Sequence, residues 1–331
     1  MNEIVRNKCN LLIENTQRIS NGFKWNDSLM NIASALTFTS ANQLVDLNRL
    51  MECKKLLEKN TGVFSGYQSH GKPIIVSKMA MANDPMQYLK DVDTVYEKVR
   101  KGMTFHESSY LLQAAVSVVD ADRLYDSELL SNRFKELYKR IQKEHPILTS
   151  SGSDVFAMLL TLTDKSADVI IRELEYSFNY LKNEVKINVS SSEIQGICQV
   201  LALTDGDLKE KCDRAVLLYS KFAEHGYKYG KEYNEFASLG ALVDINIDPD
   251  ILVNEIIEAA EYLKSAKGFG GWSIDKKQRL MFAAMMVADA YGNDRTDYRY
   301  SAISSSIASI IAEEVALLMC IVITTTATTC N

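Results

Sequence analysis

A short apolar segment ends at residues 159–164 with the sequence Leu-Leu-Thr-Leu-Thr-Asp, and a longer amphipathic segment follows it directly. In the longer segment Ile170, Leu174 and Phe178 recur at the spacing of apolar residues on one face of an α-helix. The shorter segment is apolar on nearly every side, which predicts a helix buried in the protein interior. The two segments together therefore predict a hairpin of one inner and one outer helix.

The same pattern recurs along the chain. Its copies end at Ser40, Asp84, Asp120, Asp164, Asp205, Asp244 and Asp289. Subtracting these residue numbers gives spacings of 44, 36, 44, 41, 39 and 45 residues, which is the size of a helix pair with its two turns. We therefore predict an all-α protein of about seven α/α helical hairpins, preceded by a helix over roughly residues 2–20, in a single domain of residues 1–331. Stacked hairpins form either an open superhelix or a closed α/α toroid, and the sequence leaves both possible.

Two of the four prolines mark helix starts. Pro85 and Pro249 directly follow Asp84 and Asp248. Aspartate is a favoured N-cap residue, and proline is well tolerated in the first turn, where its missing N–H group is not needed. These pairs predict that outer helices begin at residues 85 and 249.

The aspartates that end the inner segments allow two interpretations. Because each precedes an amphipathic segment, each is placed to cap the free N–H groups of an outer helix, and this interpretation is favoured. Alternatively, stacked hairpins bring the carboxylates to one rim, as an acidic stripe for a ligand, a cation or a basic partner. The candidate ligand-binding residues are then Asp84, Asp120, Asp164, Asp205, Asp244 and Asp289. Ser40, in the first copy, fits a cap better than a metal ligand.

The charge and cysteine content narrow the choice of partner and compartment. The formal net charge is -6 and no run of five or more basic residues occurs, so nucleic acid is not expected as a partner. The six cysteines are scattered, without the Cys-x-x-Cys spacing of a zinc or redox site. We expect reduced, buried thiols and a cytoplasmic location.

No recognisable catalytic motif occurs in this sequence. The four histidines do not form the His-Glu-x-x-His pattern of a helical zinc site. The glycine cluster at residues 268–271 lacks the Gly-Lys-Ser/Thr ending of a phosphate loop. We therefore expect no cofactor and no metal, and the sequence names no catalytic residue.

The C-terminal segment, residues 301–331, is unusual because Glu313 and Glu314 are its only charged residues. The uncharged run after Glu314 is shorter than the roughly twenty apolar residues that span a bilayer, so a membrane anchor is not favoured. Small residues such as Ala302, Ser305 and Ser309 permit close approach of another helix. We expect this tail to pack on the helical domain or to lie at a subunit interface. In the first case, Ile310, Leu317 and Ile321 would fill a central hollow of the domain.

The sequence also resembles an uncharacterised bacterial family. The resemblance rests on the Leu-Thr-Asp ends of the inner segments, the Ala/Ile/Thr-rich tail and residues 268–287, Gly-Phe-Gly-Gly-Trp-Ser-Ile-Asp-Lys-Lys-Gln-Arg-Leu-Met-Phe-Ala-Ala-Met-Met-Val. These segments make the chain similar, over nearly the whole length of the chain, to the domain-of-unknown-function family numbered 4003. The resemblance implies a bacterial cytoplasmic protein of single-domain length, and it supplies no activity or catalytic residue.

These observations favour a helical-repeat scaffold that binds a protein partner or associates with itself through the apolar tail. The alternative is an α/α-toroid enzyme or small-molecule binder, with a site at the aspartate rim where Asp164, Asp205 and Asp244 end their inner segments.

Overall fold

The computed structural model describes residues 1–22, 28–61, 67, 72–101, 103, 108–144, 153–163, 165–227, 235–270 and 274–292. Every regular element in these ranges is helical, and no strand occurs within them. The prediction of an all-α protein is confirmed. The tail at residues 301–331 lies outside the described ranges, as does Asp164.

Fourteen α-helices are present in the described part of the chain. They are α1 Glu3–Gly22, α2 Ser28–Ser40, α3 Leu47–Asn60, α4 Lys72–Met81, α5 Pro85–Arg100, α6 Ser108–Asp120, α7 Ser127–Glu144, α8 Ser153–Leu162, α9 Ala167–Asn179, α10 Ser191–Leu201, α11 Leu208–Glu224, α12 Glu235–Gly240, α13 Pro249–Lys264 and α14 Lys276–Gly292. A short 3₁₀ helix, Leu124–Asp126, precedes α7, and a π-helical turn, Tyr180–Glu184, continues α9.

Side chains fix the start of most odd-numbered helices. The Asp84 and Asp248 carboxylates accept backbone N–H groups in the first turns of α5 and α13, with proline next in the chain, so both predicted starts are confirmed. Asp46, Ser166 and Asp207 do the same for α3, α9 and α11. Each cap satisfies N–H groups that have no partner within the helix.

The helices pack in two series. Each odd-numbered helix contacts the even-numbered helix that follows it in the chain, from α1 with α2 to α13 with α14. Odd-numbered helices also contact one another in order, and α13 contacts α1. Among the even-numbered helices, α2 contacts α4, and α6, α8, α10, α12 and α14 contact one another in order.

Burial separates the two series as the sequence predicts. Runs of consecutive residues are buried in the even-numbered helices, including 31–39 in α2, 193–201 in α10 and 278–290 in α14. The odd-numbered helices bury one side only, as Phe134 and Ile141 do in α7. The even-numbered helices are therefore the inner ones, and the odd-numbered helices form the outside.

The first helix is the outer partner of α2. The sequence predicts it over residues 2–20 as an element preceding the hairpins, and it spans Glu3–Gly22. It also contacts both α13 and α14, which are more than 220 residues away in the chain (249 minus 22 is 227). The N-terminal helix thus joins the two ends of the described chain. Among the described helices, none is long and apolar enough to cross a membrane.

Candidate functional site

Among the candidate aspartates that the structure describes, Asp84 is the one that caps a helix. Its Oδ1 accepts the backbone N–H groups of Met86 at 2.9 Å and Gln87 at 3.0 Å. Its carboxylate therefore caps α5 and lies at the positive end of the dipole of this helix.

We expect Asp84→Ala to lower the free energy of unfolding by about 1 kcal/mol, because two N–H groups of α5 lose their acceptor. Asp84→Asn, which keeps a capping oxygen, should leave stability nearly unchanged. Urea unfolding of the three proteins measures both effects. Equal losses in the two variants would mean that the negative charge, rather than the cap, is what matters at this position.

The capping interpretation is wrong for four other aspartates. Asp120 is the last residue of α6, and Asp289 lies within α14. Asp205 and Asp244 lie in the turns after α10 and α12, but the caps of α11 and α13 are the later residues Asp207 and Asp248. Each of the four instead contacts a side chain from elsewhere in the chain.

Asp120 is held by two neighbouring side chains. Lys78, from the last turn of α4, places its Nζ 2.9 Å from Asp120 Oδ2. The Tyr88 hydroxyl, from α5, donates to Asp120 Oδ1 at 2.8 Å. Both carboxylate oxygens therefore have partners within the protein.

Asp205 and Asp244 belong to a network around Thr204. Lys165 Nζ lies 3.8 Å from the Asp205 carboxylate and donates to Thr204 O at 3.3 Å. Lys211 Nζ donates to Thr204 O at 2.7 Å and to Thr204 Oγ1 at 2.8 Å, while that hydroxyl donates to Asp244 Oδ2 at 2.8 Å. Burial lowers the pKa of Lys211, and the nearby Asp244 opposes this effect. The network links α11 to the turns after two inner helices.

Asp289 forms a buried ion pair with Lys8 of α1. The side chains are 3% and 7% exposed, so both charges are shielded from water. Lys8 Nζ also lies 3.5 Å from Thr39 O, at the end of α2. This pair joins the first helix to the last described one.

Other basic side chains bind the carbonyl groups that follow inner helices. Arg49 of α3 donates to Ala82 O at 3.2 Å, and Arg133 of α7 donates to Lys165 O at 2.8 Å. Arg214 of α11 donates to Ile245 O at 2.5 Å. These carbonyls lie in the turns after α4, α8 and α12, outside the helices, and each accepts a charge-assisted hydrogen bond from an arginine. The aspartate rim is therefore lined with cations that the protein itself supplies.

The structure brings together a second acidic group that the sequence analysis missed. Glu193 of α10 is 4% exposed, and Glu235 of α12 is 1% exposed. Glu193 Oε2 accepts the Phe236 N–H at 2.8 Å, and Glu235 Oε1 lies 3.3 Å from Lys277 Nζ of α14. Paired carboxylates on facing elements suit acid–base chemistry, but these two are buried and serve a helix start and an ion pair. A structural role is favoured, and no motif in the sequence marks either residue.

A cleft of about 280 Å³ lies between the outer helices α7 and α9. Its charged lining residues are Arg133, Glu136, Arg140, Lys165 and Asp168. Arg140 Nη1 lies 2.6 Å from the Asp168 carboxylate and so bridges the two helices. This volume is at the lower limit for small-molecule sites, and it is large enough for one side chain of a partner.

No group of three or more His, Cys, Asp or Glu side chains that could hold a metal ion occurs within the described ranges.

The model of a family described as "Protein of unknown function (DUF4003)" matches residues 15–316. No curated protein and no solved structure matches the chain significantly.

Proposed function

Because the chain belongs to the DUF4003 family, whose function is unknown, we propose from its geometry that it is an interaction scaffold. In this proposal seven helix hairpins form a closed ring, and a protein partner docks on the outer face of α7 and α9. The observation that carries the docking site is an exposed apolar pair, Tyr125 just before α7 and Leu129 in its first turn, on the helix that lines the charged cleft between α7 and α9.

The closed ring is supported by contacts between the two ends of the described chain. The Asn2 N–H donates to Glu255 Oε1 at 2.5 Å, and Asn2 Nδ2 donates to the Tyr291 hydroxyl at 2.8 Å. The Tyr262 hydroxyl donates to Asn10 Oδ1 at 2.5 Å. An open superhelix has no contact between its first and last units, whereas a ring requires one.

The docking face begins with two exposed apolar side chains. Tyr125 is 81% exposed and Leu129 is 57% exposed. The Arg123 guanidinium lies 5.9 Å from the centre of the Tyr125 ring, a distance at which the cation and the ring attract each other. Tyrosine and arginine are enriched among the residues that dominate binding energy at protein interfaces.

The same face of α7 continues into the cleft. Arg133, Glu136 and Arg140 follow Leu129 at four, seven and eleven residues, which is the spacing of one helical stripe. An extended or helical partner segment that covers Leu129 therefore passes the two arginines next. The partner that fits is a protein segment with an apolar anchor followed, two or three turns on, by an acidic side chain.

The rival site at the aspartate rim receives less support from the geometry. Asp120, Asp205 and Asp289 lie within 4 Å of the protein's own lysines, and Asp244 accepts from Thr204. A ligand cation at this rim would compete with these internal partners. Leu129 has no such internal competitor, whereas an acidic partner group at the cleft would share Arg140 with Asp168 and Arg133 with the Lys165 carbonyl.

A cytoplasmic location is part of the proposal. Cys9, Cys53, Cys198 and Cys212 are buried free thiols, which is typical of proteins from reducing compartments.

The docking proposal predicts that Leu129→Arg weakens partner binding by at least about thirtyfold, the effect of losing one dominant interface residue. The tagged full-length chain is used to capture proteins from its own cells, with quantitative mass spectrometry. Ile251→Arg is the matched control, because Ile251 is 59% exposed near the start of another outer helix, α13. A partner retained by wild type and Ile251→Arg but lost by Leu129→Arg supports the site. Equal capture by all three proteins contradicts it.

A further inference from the structure

The layer of inner helices is interrupted at two places. The helix α2 packs against α4, and α6 to α14 pack against one another in order. Within the described ranges, however, neither α4 with α6 nor α14 with α2 is closely packed. These two breaks separate the four helices α1–α4, which we call the N-terminal unit, from the rest of the fold.

The four helices of the N-terminal unit are joined firmly to one another. The helix α1 packs on α2, and α4 packs on both α2 and α3. The buried Asn15 side chain of α1 donates to Thr39 Oγ1 at 3.2 Å and accepts the Val45 N–H at 2.9 Å. The hydroxyl groups of Ser34 and Ser77 hydrogen bond at 2.6 Å between α2 and α4. These contacts lie inside the unit, so they survive if the unit moves as a whole.

A lysine–aspartate pair bridges each of the two breaks. Lys78 of α4 lies 2.9 Å from the Asp120 carboxylate of α6, and Lys8 of α1 pairs with Asp289 of α14. Two charged side chains can join helices that are too far apart to pack, but they bury little apolar surface. At both breaks a charge pair therefore takes the place of close helix packing.

The helix α1 also meets α13 and α14, and we call these contacts the α1 seam. Polar pairs across the α1 seam include Lys8–Asp289, Asn2–Tyr291 and Asn10–Tyr262. Water can replace the partners of such groups, so breaking a polar pair has a modest net cost. Polar interfaces between two units of one chain commonly permit their relative motion.

The chain passes from the N-terminal unit to α5 at residues 82–84. We infer that helices α1–α4 turn as one body about residues 82–84, which separates α1 from α13 and α14 while the helices stay folded. A few residues at the end of a helix are enough for such a hinge. Arg49 of α3 donates to Ala82 O at 3.2 Å, so the first residue of the hinge stays attached to the unit. The inference does not depend on the docking face of α7 and α9.

The Lys8–Asp289 pair controls this motion. In the closed state the two side chains are 7% and 3% exposed, so each charge depends on the other. In the open state both charges meet water, and neither is left buried without a partner. Removing Lys8 destabilises the closed state alone, because Asp289 is then buried and unpaired only there.

The thiol of Cys9 reports opening of the α1 seam. Cys9 is fully buried and lies two turns before Thr16 on the same side of α1. A Cβ atom at Gly268 would lie 3.7 Å from Thr16 Cγ2, so this side of α1 faces the end of α13. Cys198 and Cys212 are buried in α10 and α11, outside the seam, and report global unfolding.

Maleimide labelling of the full-length protein, followed by mass spectrometry, measures how often each thiol is exposed. Each rate is divided by the rate of the same thiol in urea. We expect Cys9 to react at least about a hundredfold faster than Cys198 and Cys212, because the seam opens below the free energy of global unfolding. Equal relative rates for the three thiols would overturn the inference, since the seam would then open only in global unfolding.

Hydrogen exchange on the same protein distinguishes motion of the unit from unfolding of α1. A body motion keeps the backbone hydrogen bonds of α1, so the α1 amides should be protected by a larger free energy than the Cys9 thiol. Equal free energies for the amides and the thiol would overturn the inference, because α1 would then unfold by itself.

A pair of variants tests the role of the buried charges. Lys8→Met should raise the labelling rate of Cys9 at least about tenfold. Arg18→Met, which breaks the surface pair with Glu14 in the same helix, is the matched control and should leave that rate unchanged. Equal rates in the two variants would contradict the assigned role of Lys8. Leu129 takes no part in these measurements, so failure of the docking proposal remains distinguishable.

Discussion

Lys8→Met is expected to lower the free energy of unfolding by about 3–5 kcal/mol, because it leaves the Asp289 carboxylate without its buried counter-charge. Asp289 is 3% exposed on its side chain, so water cannot replace the lost ammonium group without local opening. The same variant also weakens the contact between α1 and α14. Urea unfolding followed by circular dichroism measures the loss.

The double variant Lys8→Met/Asp289→Leu separates charge from packing. Replacing both members of a buried ion pair with apolar groups is often neutral, so the double variant should regain most of the stability lost by Lys8→Met. Arg18→Met, which breaks a surface pair with Glu14, is the control and should have little effect. If Lys8→Met unfolds at the same urea concentration as wild type, this pair does not hold the first helix to the last.

Gly240→Val is expected to destabilise the protein by about 2–3 kcal/mol, because it overfills the contact between α10 and α12. A Cβ atom on Gly240 would lie 2.6 Å from Cγ1 and 2.9 Å from Cβ of Val200. Both atoms sit close to the backbone of a buried helix, so they cannot move aside without shifting α10. Gly240→Ala should have a smaller effect of the same sign, and thermal unfolding ranks the two variants.

A second substitution tests the proposed cause. The double variant Gly240→Ala/Val200→Ala lacks the nearest clashing atom, Cγ1 of Val200. Its loss of unfolding free energy should therefore be smaller than the sum of the losses in the two single variants. Gly22→Ala is the control. Its Cβ would meet Cδ1 of Leu47, which is the terminal atom of a flexible side chain and can move aside, so a smaller loss of stability is expected. Strict additivity of the Gly240 and Val200 effects would mean that steric overlap between these residues is not the cause.

The sequence predicts the helices well because their signals are local. Apolar residues at helical spacing distinguish outer helices from inner ones, and the burial of residues 31–39 and 193–201 agrees with that distinction. The Asp-Pro pairs at Asp84 and Asp248 give two helix starts correctly. Each of these features depends on side chains within one or two turns of the chain.

The candidate site is predicted less well, because the partners of the aspartates are distant in sequence. Asp120 pairs with Lys78, 42 residues earlier, and Asp289 pairs with Lys8, 281 residues earlier. An aspartate at the end of six of the seven inner segments looks like a cap in the sequence, while its actual contact depends on which neighbouring helix or turn supplies a partner. Among the described copies, the repeated position is thus a shared location with more than one bonding role: Asp84 caps a helix, Asp120 and Asp289 pair with lysines, and Asp244 accepts from Thr204.

The sequence by itself determines that this protein is built from helices, which of them are buried, and where several begin, since hydrophobic spacing and capping act over a few residues. The tertiary structure alone decides that α1 meets α13 and α14, that Lys8 neutralises Asp289, and that Arg140 of α7 pairs with Asp168 of α9 beside a charged cleft. These contacts join residues far apart in the chain, and their energies depend on burial and distance, which exist only once the helices have packed.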